Sequence, residues 1–370
     1  MGNTPYMLMV AAVLLFGAIM PQKGPKRIWY IILMTVIHTV LCGFRWQFLT
    51  GDLHKYYWNY FACGGYAWFS PELWAQGRNF GFYYFNKIIY TLFGEEQQAL
   101  LVSIALIVHV ALAIVVYRYS PVPWFSYLIW NCMGFYIFGF SAIKQALAMA
   151  FVMLAFIGIA EKKFGLYLLM MAIAGAVHMP SLVFLPAYWL TRLKVKPTVI
   201  VLYVLLGVLV FLFKDQFVAF IRSFYYEDDE VWFHTGEIGS RTIMIIGFAL
   251  FGLFFRGFQD PVVEKLFHIL AVSAIFQMLA GFDNIFTRMA DYYFQMAVLY
   301  LPLTFYTREN VRLQPKALSA VFPFNRRSMV LLSVMVVAFA LWFYWTYNIN
   351  ITIGYSVDNY LNYRSMWDMR

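Results

Sequence analysis

Residues 28–43 read IWYIILMTVIHTVLCG, and residues 44–58 continue directly as FRWQFLTGDLHKYYW. The first run is apolar and close to the length that crosses a bilayer. The second sets Arg45, Asp52, His54 and Lys55 among aromatic rings at the end of that run. Charge against hydrocarbon is costly, which marks the stretch as a candidate for function. The chain of 370 residues is 63% hydrophobic and only 12% charged, so the cluster stands out.

Working outward, a mean hydropathy of +0.68 leaves more apolar surface than one soluble core can bury. Long apolar runs separated by short polar ones imply an all-α, polytopic integral membrane protein rather than a β-barrel of short alternating strands. About twelve segments meet this description, at roughly 5–20, 28–44, 98–117, 122–140, 142–160, 164–178, 180–191, 198–213, 241–256, 262–280, 288–306 and 328–347. The segment from Tyr6 to Met20 lacks a basic start and a small-residue cleavage site, and reads as a first membrane helix rather than a signal. Residues 1–370 therefore read as a single transmembrane domain without internal repeats.

The formal charge of +9 has no soluble basic face to sit on, so it points to orientation and not to nucleic acid. With Gln22–Arg27 on the cytoplasmic side, the inside loops collect about 16 basic and 4 acidic residues, leaving about 11 and 14 outside. Both termini are then expected outside the cytoplasm. The inside loops include the basic stretch 307–327. Two outside segments are long: an aromatic-rich one at 45–97, part of which is expected to lie on the membrane, and an acidic one at 214–240 carrying Glu227 to Glu230.

In this topology Arg45, Lys144, Arg241 and Arg288 flank the outside helix ends, with His178 at the same level. Orientation accounts for none of them. For any one residue the alternative is snorkelling to the interface; for all five together that reading is weaker, and a shared site is the sharper expectation. Lys144 and Gln145 begin a helix whose small residues Ala142, Ala146, Ala148 and Ala150 let neighbours approach closely. His178 precedes Met179-Pro180-Ser181, where a helix ends or breaks; its imidazole can take a proton from a hydroxyl, or cap the helix end. Arg288, Asp291, Tyr292 and Gln295 share one helix face, with a local Arg288–Asp291 ion pair as the plainer reading. Asp52 follows Gly51, whose freedom permits a turn that aims the carboxylate at the membrane, though a lone Asp also serves as a turn residue.

The chain has no phosphate-binding glycine loop, dinucleotide fingerprint or zinc spacing, and its three cysteines make no framework. A nucleotide-driven cytoplasmic reaction is therefore disfavoured. A substrate already activated and membrane-borne, such as a lipid pyrophosphate, fits better, because Arg and Lys at the surface can neutralise its leaving charge.

These residues resemble the EpsG family of bacterial exopolysaccharide polymerases, relatives of the Wzy polymerases. Arg45 followed by Gly51-Asp52 and Tyr56-Tyr57 resembles that family's R-x(n)-G-x-D-x(n)-Y loop. Gly81-Phe82-Tyr83-Tyr84-Phe85-Asn86-Lys87 is similar to its GF-x-x-L-N-K segment, and Ile143-Lys144-Gln145-Ala146-Leu147-Ala148 to its R-Q-x-L-A helix start. His178-Met179-Pro180-Ser181 resembles its F-H-x-S-A element, and Arg288 to Tyr293 its R-x-x-x-Y-Y/F element. Lys144 departs from the usual arginine, replacing a fork by a point charge, and Pro180 is an insertion.

The resemblance implies a GT-C-like glycosyltransferase at the outer face of the bacterial cytoplasmic membrane. It would be independent of nucleotide sugars, with no cofactor or obligatory metal. Undecaprenyl-pyrophosphate-linked oligosaccharide repeats would be joined into exopolysaccharide, capsule or O-antigen, with undecaprenyl pyrophosphate released. Arg45, Lys144, Arg288 and Arg241 would contact pyrophosphate. His178 or Asp52 would activate the acceptor hydroxyl, and Gln145, Tyr56, Tyr57, Tyr292 and Asp291 would contact substrate. The flippase and chain-length regulator of the same pathway are the expected partners, besides membrane lipid. A flippase for the same lipid, or an O-antigen-type ligase, are the competing readings.

Overall fold

A computed structural model describes residues 4–47, 51–74, 79–225, 236–256, 260–306 and 326–345. Every element among them is helical. The apolar runs fold as α1 (Thr4–Ile19) and α2 (Arg27–Gly43). The aromatic-rich segment then forms α3 (Gly51–Gly65), α4 (Pro71–Trp74) and α5 (Phe80–Phe93). Next come α6 (Gln97–Tyr119), α7 (Pro123–Cys132), α8 (Phe135–Phe138), α9 (Ile143–Ala160) and α10 (Phe164–Val177). A 3-10 turn (Met179–Phe184) leads to α11 (Ala187–Leu190), α12 (Pro197–Leu212) and α13 (Lys214–Tyr225). The chain continues with α14 (Ser240–Arg256), α15 (Pro261–Met278), α16 (Ile285–Phe294), α17 (Ala297–Tyr306) and α18 (Arg326–Phe343). Glu227 to Glu230 and most of the 307–327 stretch lie outside the described residues.

Among the described residues three helices, α6, α9 and α15, are each long and apolar enough to cross a membrane, and α12 with α13 passes as a pair bent by 80°. Shorter apolar helices surround them. Two expected single segments are broken. Segment 122–140 divides at Met133-Gly134, where Gly134 takes φ +88°, a left-handed conformation that hydropathy does not register. Segment 288–306 divides between α16 and α17.

α9 is the central strut. Its alanine-rich surface is buried along nearly its whole length and packs against α10 and α6, as small residues in a membrane bundle allow. α2 covers α6, and α14, α15 and α16 form a second group. The two groups meet where α17 packs on α7 and the 3-10 turn packs on α16.

Charges segregate to the two ends of α9, about 27 Å apart for 18 residues. Near its C-terminus Arg118 pairs with Glu161 at 2.7 Å, Lys163 with Glu161 at 2.7 Å, and Lys194 with Glu264 at 3.1 Å. Arg27 donates to the Ser120 carbonyl at 2.9 Å. The basic residues of the expected inside loops thus pair with one another's surroundings at one end. The candidate site lies at the other.

Candidate functional site at the start of the central helix

α9 opens without a side-chain cap from Ala142, and the positive end of its dipole lies here; the Ile143 N–H is taken by the Ser141 carbonyl at 2.9 Å. Lys144 and Gln145 stand in this first turn. Gln145 Nε2 donates to the Arg288 carbonyl at 3.1 Å, which ties the start of α9 to α16. α16 presents the polar stripe that its spacing predicts, but its members take different partners. Arg288 is exposed. Asp291 is buried and pairs with Arg241 at the start of α14, not with Arg288. Arg241 also lies over the Phe294 ring at 5.3 Å.

His178 ends α10 in an extended conformation, φ −151° and ψ 101°. Its backbone N–H bonds to the Ala174 carbonyl at 2.8 Å, and its carbonyl accepts from Ser181 N–H at 2.9 Å. This break swings the imidazole across to α16, where Nδ1 meets the Tyr292 hydroxyl at 2.5 Å. The ring is 7% exposed. The charges of Lys144 and Arg288 both act on it.

α3 supplies the rim. Asp52 is exposed in its first turn, and its charge reaches Lys144. The Tyr56 hydroxyl meets the Lys144 backbone, and the Tyr56 ring packs edge-on against Phe82 at 5.5 Å. Burial, then the charge of Asp52, hold that hydroxyl above its ordinary range, so at neutral pH it is a neutral donor.

The cations fall into two groups. Among the described residues, Lys144 Nζ and the Arg288 guanidinium make no hydrogen bond or ion pair, yet each feels the other's charge. Asp52 acts on Lys144 as an opposite charge and Asp291 on Arg288, but neither forms an ion pair with them among the described residues, which leaves the two cations' donors available for an anion rich in oxygen. Arg241 is committed to Asp291. Arg45, expected among the pyrophosphate contacts, is 1% exposed and donates to main-chain carbonyls instead. Its Nε reaches Phe140 O at 3.1 Å, Nη2 reaches Gly139 O at 3.3 Å, and Nη1 bonds Cys42 O. Gln98 Nε2 in turn holds Arg45 O at 3.1 Å. Arg45 is thus a clasp that pins the turn before α9 to the end of α2.

Tyr57 stays outside this cluster, packed on Phe61 at 4.7 Å and Trp58 at 5.3 Å. The structure therefore assembles Asp52, Tyr56, Lys144, Gln145, His178, Arg288 and Tyr292, flanks them with Asp291 and Arg241, and sets Arg45 behind them. Asn79, which reaches the His178 break, had no signal in the sequence because its partner is a backbone group 100 residues away.

A bundle of apolar helices, with an imidazole, a carboxylate and two cations that make no side-chain hydrogen bond among the described residues gathered at one end, is that of a membrane protein with a polar cluster at one end of its central helix. The chain belongs to the EpsG family, of the polysaccharide-polymerase type, whose family-wide sequence pattern matches residues 28–365 and so spans every site residue. No curated protein and no solved structure matches the chain.

Proposed function

We propose that this chain is a GT-C-like glycosyltransferase of about twelve crossings that polymerises undecaprenyl-pyrophosphate-linked oligosaccharides at the outer face of the cytoplasmic membrane. The observation that supports this reading is that Lys144, in the first turn of α9, and Arg288 lie within electrostatic reach of each other, and among the described residues neither side chain makes a hydrogen bond or ion pair. A pyrophosphate presents enough oxygens to occupy both cations together. Its lipid tail remains among the apolar helices.

In the proposed reaction the acceptor hydroxyl of one repeat attacks the anomeric carbon of the growing chain. The bond from that carbon to the pyrophosphate oxygen breaks as the new glycosidic bond forms. The leaving pyrophosphate takes the electron pair, and Lys144 and Arg288 neutralise it as charge develops. His178, held by Tyr292, or Asp52 on the rim, receives the hydroxyl proton. Gln145 and Tyr56 orient the donor. Arg241 and Asp291 keep α14 against α16, and Arg45 fixes the start of α9 and so the position of Lys144.

Purified protein given a lipid-linked repeat tests the reading. A ladder of longer glycans supports polymerisation. Translocation across a vesicle without new bonds would instead make the chain a flippase, and transfer to a different lipid acceptor would make it a ligase.

A further inference from the structure

We infer that the first turn of α5, through Asn79 and Gly81, is the positioning element that fixes His178 relative to the carboxylate-bearing helix α3. This deepens the polymerase reading and rests on it. Asn79 is the N-cap residue of α5, where an Asn side chain ordinarily accepts from its own helix. Here it makes no cap bond; its Oδ1 accepts the Met179 N–H at 3.2 Å, one residue beyond His178. A local preference is set aside for a long-range contact at the break that carries the imidazole.

Two residues on, Gly81 lies directly against the last turn of α10. A Cβ at Gly81 would come 2.8 Å from Ala176 C and 2.9 Å from Ala176 O. Those are main-chain atoms two residues before His178, so nothing flexible can yield. The next residue, Phe82, is 1% exposed and carries the ring that packs on Tyr56 of α3. Within four residues α5 therefore touches the His178 break twice and the Asp52–Tyr56 helix once. A shift of this turn changes the spacing between the two candidate proton acceptors and the cations between them.

The test compares Asn79→Asp, Asn79→Ala and Gly81→Ala in the full-length purified protein, alone and combined with His178→Ala. Asn79→Asp keeps the Oδ acceptor and is expected to retain turnover within about twofold. Asn79→Ala and Gly81→Ala are expected to lower kcat on the order of tenfold to a hundredfold, since small displacements of a reacting group are costly. In the His178→Ala background Asn79→Ala is expected to cost nothing further, because it acts through His178. An undiminished further loss there means a purely structural role and overturns the inference.

A second readout is independent of activity: the rate at which diethylpyrocarbonate modifies His178, followed by mass spectrometry. Severalfold faster modification in Asn79→Ala and Gly81→Ala, but not in Asn79→Asp, supports the inference. Unchanged rates overturn it. Faster modification in Asn79→Ala and Gly81→Ala, together with wild-type turnover in every variant including His178→Ala, leaves the positioning element standing and rejects the catalytic reading instead.

Discussion

Replacing Arg288 by glutamine separates stability from activity, because this cation acts on Lys144 and makes no side-chain hydrogen bond or ion pair among the described residues. Arg288→Gln removes a repulsion with Lys144 and an attraction to Asp291 that offset each other, and breaks no ion pair among the described residues, so the unfolding temperature is expected to hold. Function moves the other way. Hydrogen bonds to charged groups contribute about 1.5–3 kcal/mol each. Losing the guanidinium fork from a pyrophosphate leaving group thus costs about 3 kcal/mol of transition-state stabilisation, on the order of a hundredfold in kcat/KM. Asp291→Asn provides the contrast. It strips the counter-charge from Arg241, whose side chain is only 13% exposed, and leaving a buried charge unpaired costs about 3–5 kcal/mol. Its unfolding temperature is expected to fall clearly below that of Arg288→Gln. Both variants are compared in detergent by intrinsic fluorescence melting and by turnover of a lipid-linked repeat. Melting of Arg288→Gln as early as Asp291→Asn, or turnover at the wild-type rate, would refute this role for Arg288.

Tyr292→Phe keeps the ring in its buried place but removes the hydroxyl 2.5 Å from His178 Nδ1. Turnover is expected to drop about tenfold with an unchanged melting temperature, and an unaltered kcat would rule out a role for that contact. Arg45→Met leaves the Cys42, Gly139 and Phe140 carbonyls without their donor. A loss of about 2–4 kcal/mol is expected, read as poorer yield of folded protein on size exclusion and earlier melting. Gly158→Ala would place a Cβ 2.7 Å from Tyr167 N and 2.9 Å from Lys163 O in the tight α9–α10 turn. A destabilisation of about 1–3 kcal/mol is expected, and melting at the wild-type temperature would show that the turn yields.

Helix positions were largely legible in the sequence, because an apolar run in a membrane bundle has few alternatives to helix. The expected segments 5–20, 28–44, 98–117, 142–160 and 262–280 match α1, α2, α6, α9 and α15 within a few residues. The break at His178 was legible from Pro180, but two others were not. Gly134 and the α16–α17 junction interrupt helices without changing hydropathy. At the site, residue types and faces could be read: Arg288, Asp291 and Tyr292 do share a helix face. Their pairing could not, since Asp291 finds Arg241 on another helix and Tyr292 finds His178. Arg45 shows the limit most plainly. A sequence marks it as a charge at a membrane surface, but only the fold brings the three carbonyls that occupy it. The acidic stretch Glu227 to Glu230 lies beyond the described residues.

The most direct measurement is chain growth by purified protein in a lipid nanodisc supplied with one undecaprenyl-pyrophosphate-linked repeat. The wild type is expected to give a ladder of glycans, one released pyrophosphate lipid per added repeat. Lys144→Gln and Arg288→Gln are expected to remain folded and yield almost no ladder. A ladder of wild-type length and rate from both variants, or no new glycosidic bond from the wild type while the lipid-linked repeat still crosses the bilayer, would contradict the account.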